Sequence, residues 1–157
     1  MRFFLMIILV VVIMLVAVSV TKQYKDKFDF YSNLKMFLIE FKINLAFKQE
    51  NIKEILKKTK TNSSFFLFIG EYQNYLENGQ LDLRKITFLD QEEIDLLEDI
   101  IKNIGKYNVK NEIAQMESFL LLVEEKLNKS SKDKQTLCPM ITKLSFLFAL
   151  GLVVILI

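Results

Sequence analysis

FFLMIILVVVIMLVAVSV, residues 3–20, decides how the rest of the chain is read. It is 18 residues long and carries no charge. At about 1.5 Å per residue, a helix of this length covers about 27 Å, close to the hydrocarbon thickness of a bilayer. A cleaved signal peptide is the competing reading, since Arg2 gives a basic start and Ala17-Val18-Ser19 resembles a cleavage site. The apolar core of a signal peptide is usually about 7–15 residues, shorter than this one. The segment also runs directly into Lys22, Lys25 and Lys27 without a polar spacer. A retained membrane anchor is the better reading.

The other end is also apolar. Leu144–Ile157 is uncharged, and only Ser145 interrupts its apolar run. Counted from Pro139, the segment reaches 19 residues, provided that Lys143 turns its amine back to the interface. Proline suits the first turn of a helix, and a helix that continues through it with a bend is the alternative. A helix lying on the membrane surface needs a polar face, which this segment lacks. Residues 139–157 therefore read as a second transmembrane helix. Lysines flank both apolar segments on the inner side: Lys22, Lys25, Lys27 and Lys35 after the first, and Lys126, Lys129, Lys132, Lys134 and Lys143 around the start of the second. By the positive-inside tendency, the central residues 21–137 face the cytoplasm and both termini lie on the other side. A single cysteine, Cys138, fits that compartment; packing is its ordinary role and palmitoylation the sharper alternative.

The central region reads as helical throughout. Leu34, Phe37, Leu38, Phe41, Leu45 and Lys48 share one helical stripe, and no breaker separates it from the first span. One helix is therefore expected from the membrane to about Lys48. A short helix follows over Asn51–Thr59, burying Ile52, Ile55 and Leu56. Asn62-Ser63-Ser64 starts another, which buries Phe65, Phe68, Ile69, Tyr72 and Leu76 and stops at Asn78-Gly79. Leu81–Leu89 could be read as a strand, but with no partner strand in sight it is read as irregular or short helical structure. Asp90-Gln91-Glu92-Glu93 is a capping-box variant opening a helix to Ile104, with Ile94, Leu97, Ile101 and Ile104 inward and Gly105 as its stop. Asn108 caps a last helix with Ile113, Met116, Leu120, Val123 and Leu127 inward. The expected fold is all-α: an antiparallel helical bundle flanked by N- and C-terminal transmembrane helices.

Composition narrows the function. The 157 residues hold 52% apolar side chains, no histidine, four glycines and one proline. Without histidine, a serine or cysteine nucleophile lacks its usual base. No phosphate-binding glycine loop or zinc-ligand spacing occurs. No catalytic, cofactor or metal residues are nominated, no small-molecule substrate is implied, and the chain is read as non-enzymatic. Between residues 21 and 142 the basic and acidic residues balance at 19 each, which argues against nucleic-acid binding. Charge is nevertheless segregated. Residues 71–99 hold nine acids against two basic residues, with Glu92, Glu93, Asp95, Glu98 and Asp99 crowded on one helix. A solvated face is the plain reading, and Glu92 and Glu93 also suit a helix start. The functional reading is a docking surface for a basic partner. The basic juxtamembrane part can attract anionic headgroups of the lipid bilayer.

The layout resembles the stage III sporulation protein AB family. That family tends to show a helix ending in Leu-Gly, an Asp three residues later and a Gln four further on. Here the run is Ile104-Gly105-Lys106-Tyr107-Asn108, followed by Glu112. The tail Lys143–Ile157, with Gly151, is similar to the family's final helix, as is the stretch with Leu34, Leu38 and Glu40. Asn108 stands for Asp, Glu112 for Gln, and Pro139 is a departure. The resemblance implies a relative of the inner-membrane platform proteins of type II secretion and type IV pilus machines. It implies a place in the mother-cell membrane around the forespore, within a channel joining the two cells. The implied partners are a secretion-type ATPase, stage III sporulation protein AA, and other channel subunits. An exported, membrane-anchored envelope or adhesion protein is the alternative.

Overall fold

The computed structural model describes residues 2–47, 63–104 and 109–156. Lys48, the short helix expected over Asn51–Thr59, Asn62, Gly105 and Asn108 lie outside the described residues. Four α-helices are described: α1 (Arg2–Phe47), α2 (Ser63–Asn78), α3 (Gln91–Asn103) and α4 (Val109–Leu156), with a 3-10 turn at Leu83–Lys85 between α2 and α3. No strand occurs among the described residues. Two of the helices, α1 and α4, are long and apolar enough to cross a membrane.

The continuity expected of α1 is observed, from the apolar segment through to Phe47. Its inward stripe is longer than the one read from residue 34 onward. Ala17, Tyr24, Tyr31, Leu38 and Leu45 recur every seven residues, with Val20, Lys27, Leu34 and Phe41 between them, and all are buried or half-buried. A repeat of seven keeps one seam facing a partner helix along its whole length. The partner is α4, where Met116, Val123, Ser130 and Leu137 form a matching series with Phe119, Lys126 and Asp133.

Paired side chains fix the direction of the two helices. Lys42 Nζ donates to Glu117 Oε1 at 2.6 Å, and Lys35 Nζ to Glu124 Oε1 at 2.7 Å. The Lys134 ammonium lies 4.0 Å from the Phe28 ring centroid, and Cys138 Sγ lies 3.7 Å from Thr21 O. As α1 descends from residue 42 to 21, α4 climbs from 117 to 138, so the helices run antiparallel. These exposed pairs set register more than stability, since each contributes about 0–1 kcal/mol.

Pro139 is not in a first turn. It lies inside α4, which passes through it without interruption. The missing N–H leaves the Gln135 carbonyl without its helical donor, a cost reduced where water reaches the backbone. Thr142 Oγ1 donates to Cys138 O at 2.9 Å across the same turn.

The buried cluster draws on all four helices and the α2–α3 connection. Its centre is aromatic. The Phe30 ring meets Tyr31, Phe65, Phe68 and Phe88 at centroid distances of 5.4, 5.6, 5.7 and 5.7 Å. Phe37 meets Tyr72 edge-on at 6.4 Å. Such pairs add about 0.5–1.5 kcal/mol each beyond area burial. Ile94, Leu97, Ile101 and Ile104 point inward as expected, joined by Ile100; on α4, Met116 and Val123 are buried, Leu120 and Leu127 pack at the edge, and Ile113 is half-buried.

The connection follows the non-strand reading. Gly79 ends α2 at φ 72° while its N–H reaches Tyr75 O at 2.9 Å, a left-handed cap that glycine adopts without strain. Leu83, Ile86 and Leu89 are buried at a spacing of three, the period of 3-10 geometry rather than of a strand. Glu71 anchors the connection, accepting from Lys85 Nζ at 2.7 Å and from Asp82 N at 3.3 Å.

Candidate functional site

Two groups of charged residues lie on or against α3. The first faces inward. Asp90 Oδ1 accepts from Glu93 N at 2.9 Å, and Glu93 Oε2 accepts from Asp90 N at 3.0 Å, completing the capping box. Glu93 is only 2% exposed, and its carboxylate also takes Lys27 Nζ at 2.7 Å. Lys27 stands 3.8 Å from Asp90 Oδ2 as well. Burial pushes the Asp90 carboxyl up, but the Glu93 N–H bond and the Lys27 charge outweigh it, and the group lies below its ordinary value. The buried Tyr31 phenol lies beside this node: burial first, then the Glu93 carboxylate, hold it well above its ordinary value. The node ties the start of α3 to α1 at Lys27, six residues after Thr21.

The second group faces outward. Glu92, Asp95 and Asp99 are exposed at helical spacing on one face, and Glu98 is half-exposed beside them. Their hydrogen bonds stay within α3. Gln91 Nε2 donates to Asp95 Oδ1 at 2.8 Å, Asn103 Nδ2 to Asp99 Oδ1 at 2.6 Å, and Lys102 Nζ to Glu98 Oε2 at 2.6 Å. The Glu98 bond holds the Lys102 amine above its ordinary value. Of the five acids nominated from sequence, four form this ridge and Glu93 does not join it. Its carboxylate is consumed inside the fold.

Of the family-like residues, Gly105 and Asn108 lie outside the described residues. Glu112 is in the first turn of α4 and only 1% exposed. Burial first, and the Glu112 carboxylate second, push the Tyr72 phenol well above its ordinary value. Glu112 is thus part of the interior rather than of an open surface.

Tyr31 was not singled out from sequence, and Lys27 was read only as one of the lysines flanking the first apolar segment. The signal was a lysine at a position where the seven-residue repeat asks for an apolar side chain. Nothing in the described residues gathers three metal-ligating side chains. A groove on α4 between Leu144, Phe148, Gly151 and Ile155 is apolar and offers no polar group to orient a substrate.

Comparison with known proteins agrees with the sequence resemblance. The family model for stage III sporulation protein AB matches residues 2–157. The chain therefore belongs to the stage III sporulation protein AB family. No curated protein and no solved structure matches it.

Proposed function

We propose that this family member is a non-enzymatic membrane platform of a sporulation channel, anchored by two transmembrane helices and docking a cytoplasmic secretion-type ATPase. One observation supports the membrane reading above the others. The 3.7 Å contact between Thr21 O and Cys138 Sγ joins the residue that follows the first apolar segment, 3–20, to the residue that precedes the second, 139–157. Two helices that leave their apolar segments at the same height can cross one bilayer together, with the folded core below it. Beyond that contact most outward side chains are apolar, Lys143 being the charged exception: Ile7 and Leu15 are 63% exposed and Val154 75%. Water does not tolerate so much contiguous apolar surface, whereas lipid requires it.

The docking face is the outward ridge Glu92, Asp95, Glu98 and Asp99. It stands on the short helix farthest from continuity with the spans, fixed at its start by the Lys27 node. A basic partner surface would meet it without disturbing the core, because its hydrogen bonds are local to α3. The membrane concerned is that of the mother cell around the forespore, with the helical domain in the cytoplasm. The test is binding between the detergent-solubilised chain and the purified ATPase, wild type against Asp95→Lys/Asp99→Lys. The reading expects at least tenfold weaker binding with unchanged helicity. Equal binding by the two proteins removes the ridge as the dock.

A further inference from the structure

The lysines of this chain differ in what they hold. Lys35, Lys42, Lys85 and Lys102, away from the apolar segments, each hold a carboxylate at 2.6–2.7 Å. Arg84, Lys110, Lys126 and Lys129 form no ion pair among the described residues. Near the apolar segments four more lysines are unpaired. Lys22, Lys25, Lys132 and Lys143 are exposed, and none forms an ion pair among the described residues.

The antiparallel register brings these four to one band. Taking the Thr21–Cys138 contact as the boundary, Lys22 and Lys25 lie within about 6 Å of it and Lys132 within about 9 Å, at about 1.5 Å per residue. Lys143 starts about 7.5 Å on the apolar side, within reach of the boundary for a side chain that extends back. Lys22, Lys25 and Lys132 stand on the faces of α1 and α4 turned away from the seam, so they surround the helix pair rather than line a pocket. Lys134, held over Phe28, adds a fifth positive charge to the band. Asp26 and Asp133, both half-buried, are the acids of α1 and α4 at that height, and Lys27 is already held by Glu93 at 2.7 Å and by the exposed Asp90 at 3.8 Å.

We infer that Lys22, Lys25, Lys132 and Lys143 form a collar that binds the phosphate groups of anionic phospholipids on the side of the membrane facing the folded core. The inference rests on the membrane reading given above. Ammonium groups without protein partners, placed at headgroup depth, are the chemistry that recognises a lipid phosphate. The collar pins the height of the helix pair, so that the core stays at a fixed distance below the bilayer.

The test uses the full chain reconstituted in vesicles of equal parts phosphatidylglycerol and phosphatidylcholine. Flotation reports insertion. Gentle detergent extraction followed by native mass spectrometry counts the retained lipids. Wild type is expected to retain phosphatidylglycerol over phosphatidylcholine by at least fivefold, about the effect of one juxtamembrane lysine. Lys22→Gln/Lys25→Gln/Lys132→Gln/Lys143→Gln is expected to float equally and retain both lipids alike. Lys35→Gln/Lys42→Gln is expected to behave as wild type. Equal retention by wild type, or undiminished preference in the quadruple variant, overturns the collar while leaving the spans intact. Loss of the preference in millimolar inorganic phosphate identifies a general anion site and also overturns it. Failure of wild type to float overturns the membrane reading, and the collar with it.

Discussion

Glu93→Ala is the most informative single substitution, because it removes two contacts that the fold cannot replace. Glu93 is 2% exposed, holds Lys27 at 2.7 Å and accepts from the Asp90 backbone at 3.0 Å. Removing one partner of a buried ion pair costs about 3–5 kcal/mol. Lys27 is 23% exposed in its side chain and retains Asp90 at 3.8 Å, so solvent and the second carboxylate reduce that cost. Loss of the reciprocal capping bond adds about 1 kcal/mol. The expected destabilisation of the α3 docking is about 2–4 kcal/mol, which corresponds to roughly 30- to 700-fold faster amide exchange across α3 if exchange follows local opening. Hydrogen–deuterium exchange on residues 91–103 in detergent reads this directly. Glu93→Gln keeps an acceptor for the Asp90 N–H and loses only the charge, so it should fall between Ala and wild type. A Lys27→Met/Glu93→Gln double variant should recover part of the loss, since both charges are gone. Exchange rates within threefold of wild type in Glu93→Ala, or strict additivity in the double variant, refute the claim that the node holds α3 to α1.

Three further outcomes follow from the same structure. Phe30→Ala, which removes the ring that meets four others, should destabilise the core by about 3–5 kcal/mol, measured by chemical denaturation in detergent. Gly79→Ala should cost about 1–2 kcal/mol through backbone strain alone, because φ is 72° and open space surrounds the missing Cβ; an unchanged midpoint contradicts the left-handed cap. Thermal stability should be flat near neutrality and fall on both sides. Asp90 lies below its ordinary 3.8, so its contribution is present above that value and is lost as the pH falls through the lowered one. Tyr31 and Tyr72 are raised, so their contribution is complete below about pH 10 and is lost above it as the unfolded phenols ionise.

Much of the architecture was legible in residues with strong local meaning. Asp90 and Glu93 carry a capping box in four letters, and the structure forms both of its hydrogen bonds. Gly79 after Asn78 signals a left-handed stop, and α2 ends there. The unbroken helix from the apolar segment to Phe47 follows from the absence of any glycine or proline in its path. Two features were harder. Leu81–Leu89 mixes strand-like residues with a spacing of three, and only contacts to the core show that the spacing decides. Pro139 looks like a helix start, yet α4 continues through it into the following apolar run.

The candidate site was legible only in part. Clustered acids are visible in the sequence, but their division between inside and outside is not. Glu93 differs from Glu92 by one position, which on a helix is a rotation of about 100°. That rotation takes one carboxylate to Lys27 and leaves the other in solvent. Lys27 itself could be found only by following the seven-residue repeat past the membrane edge and noticing a charge at an inward position.

The proposed role requires the folded core to face the cytoplasm. Asn128 on α4 is exposed and lies between the core and the lysine band. Asn128→Cys in a Cys138→Ser background gives one reporter thiol, to be treated with a membrane-impermeant maleimide in intact and in permeabilised cells. Labelling only after permeabilisation is the predicted result and keeps the core on the cytoplasmic side, within reach of an ATPase. Labelling in intact cells contradicts it, puts the core outside and makes an exported envelope protein the reading to pursue.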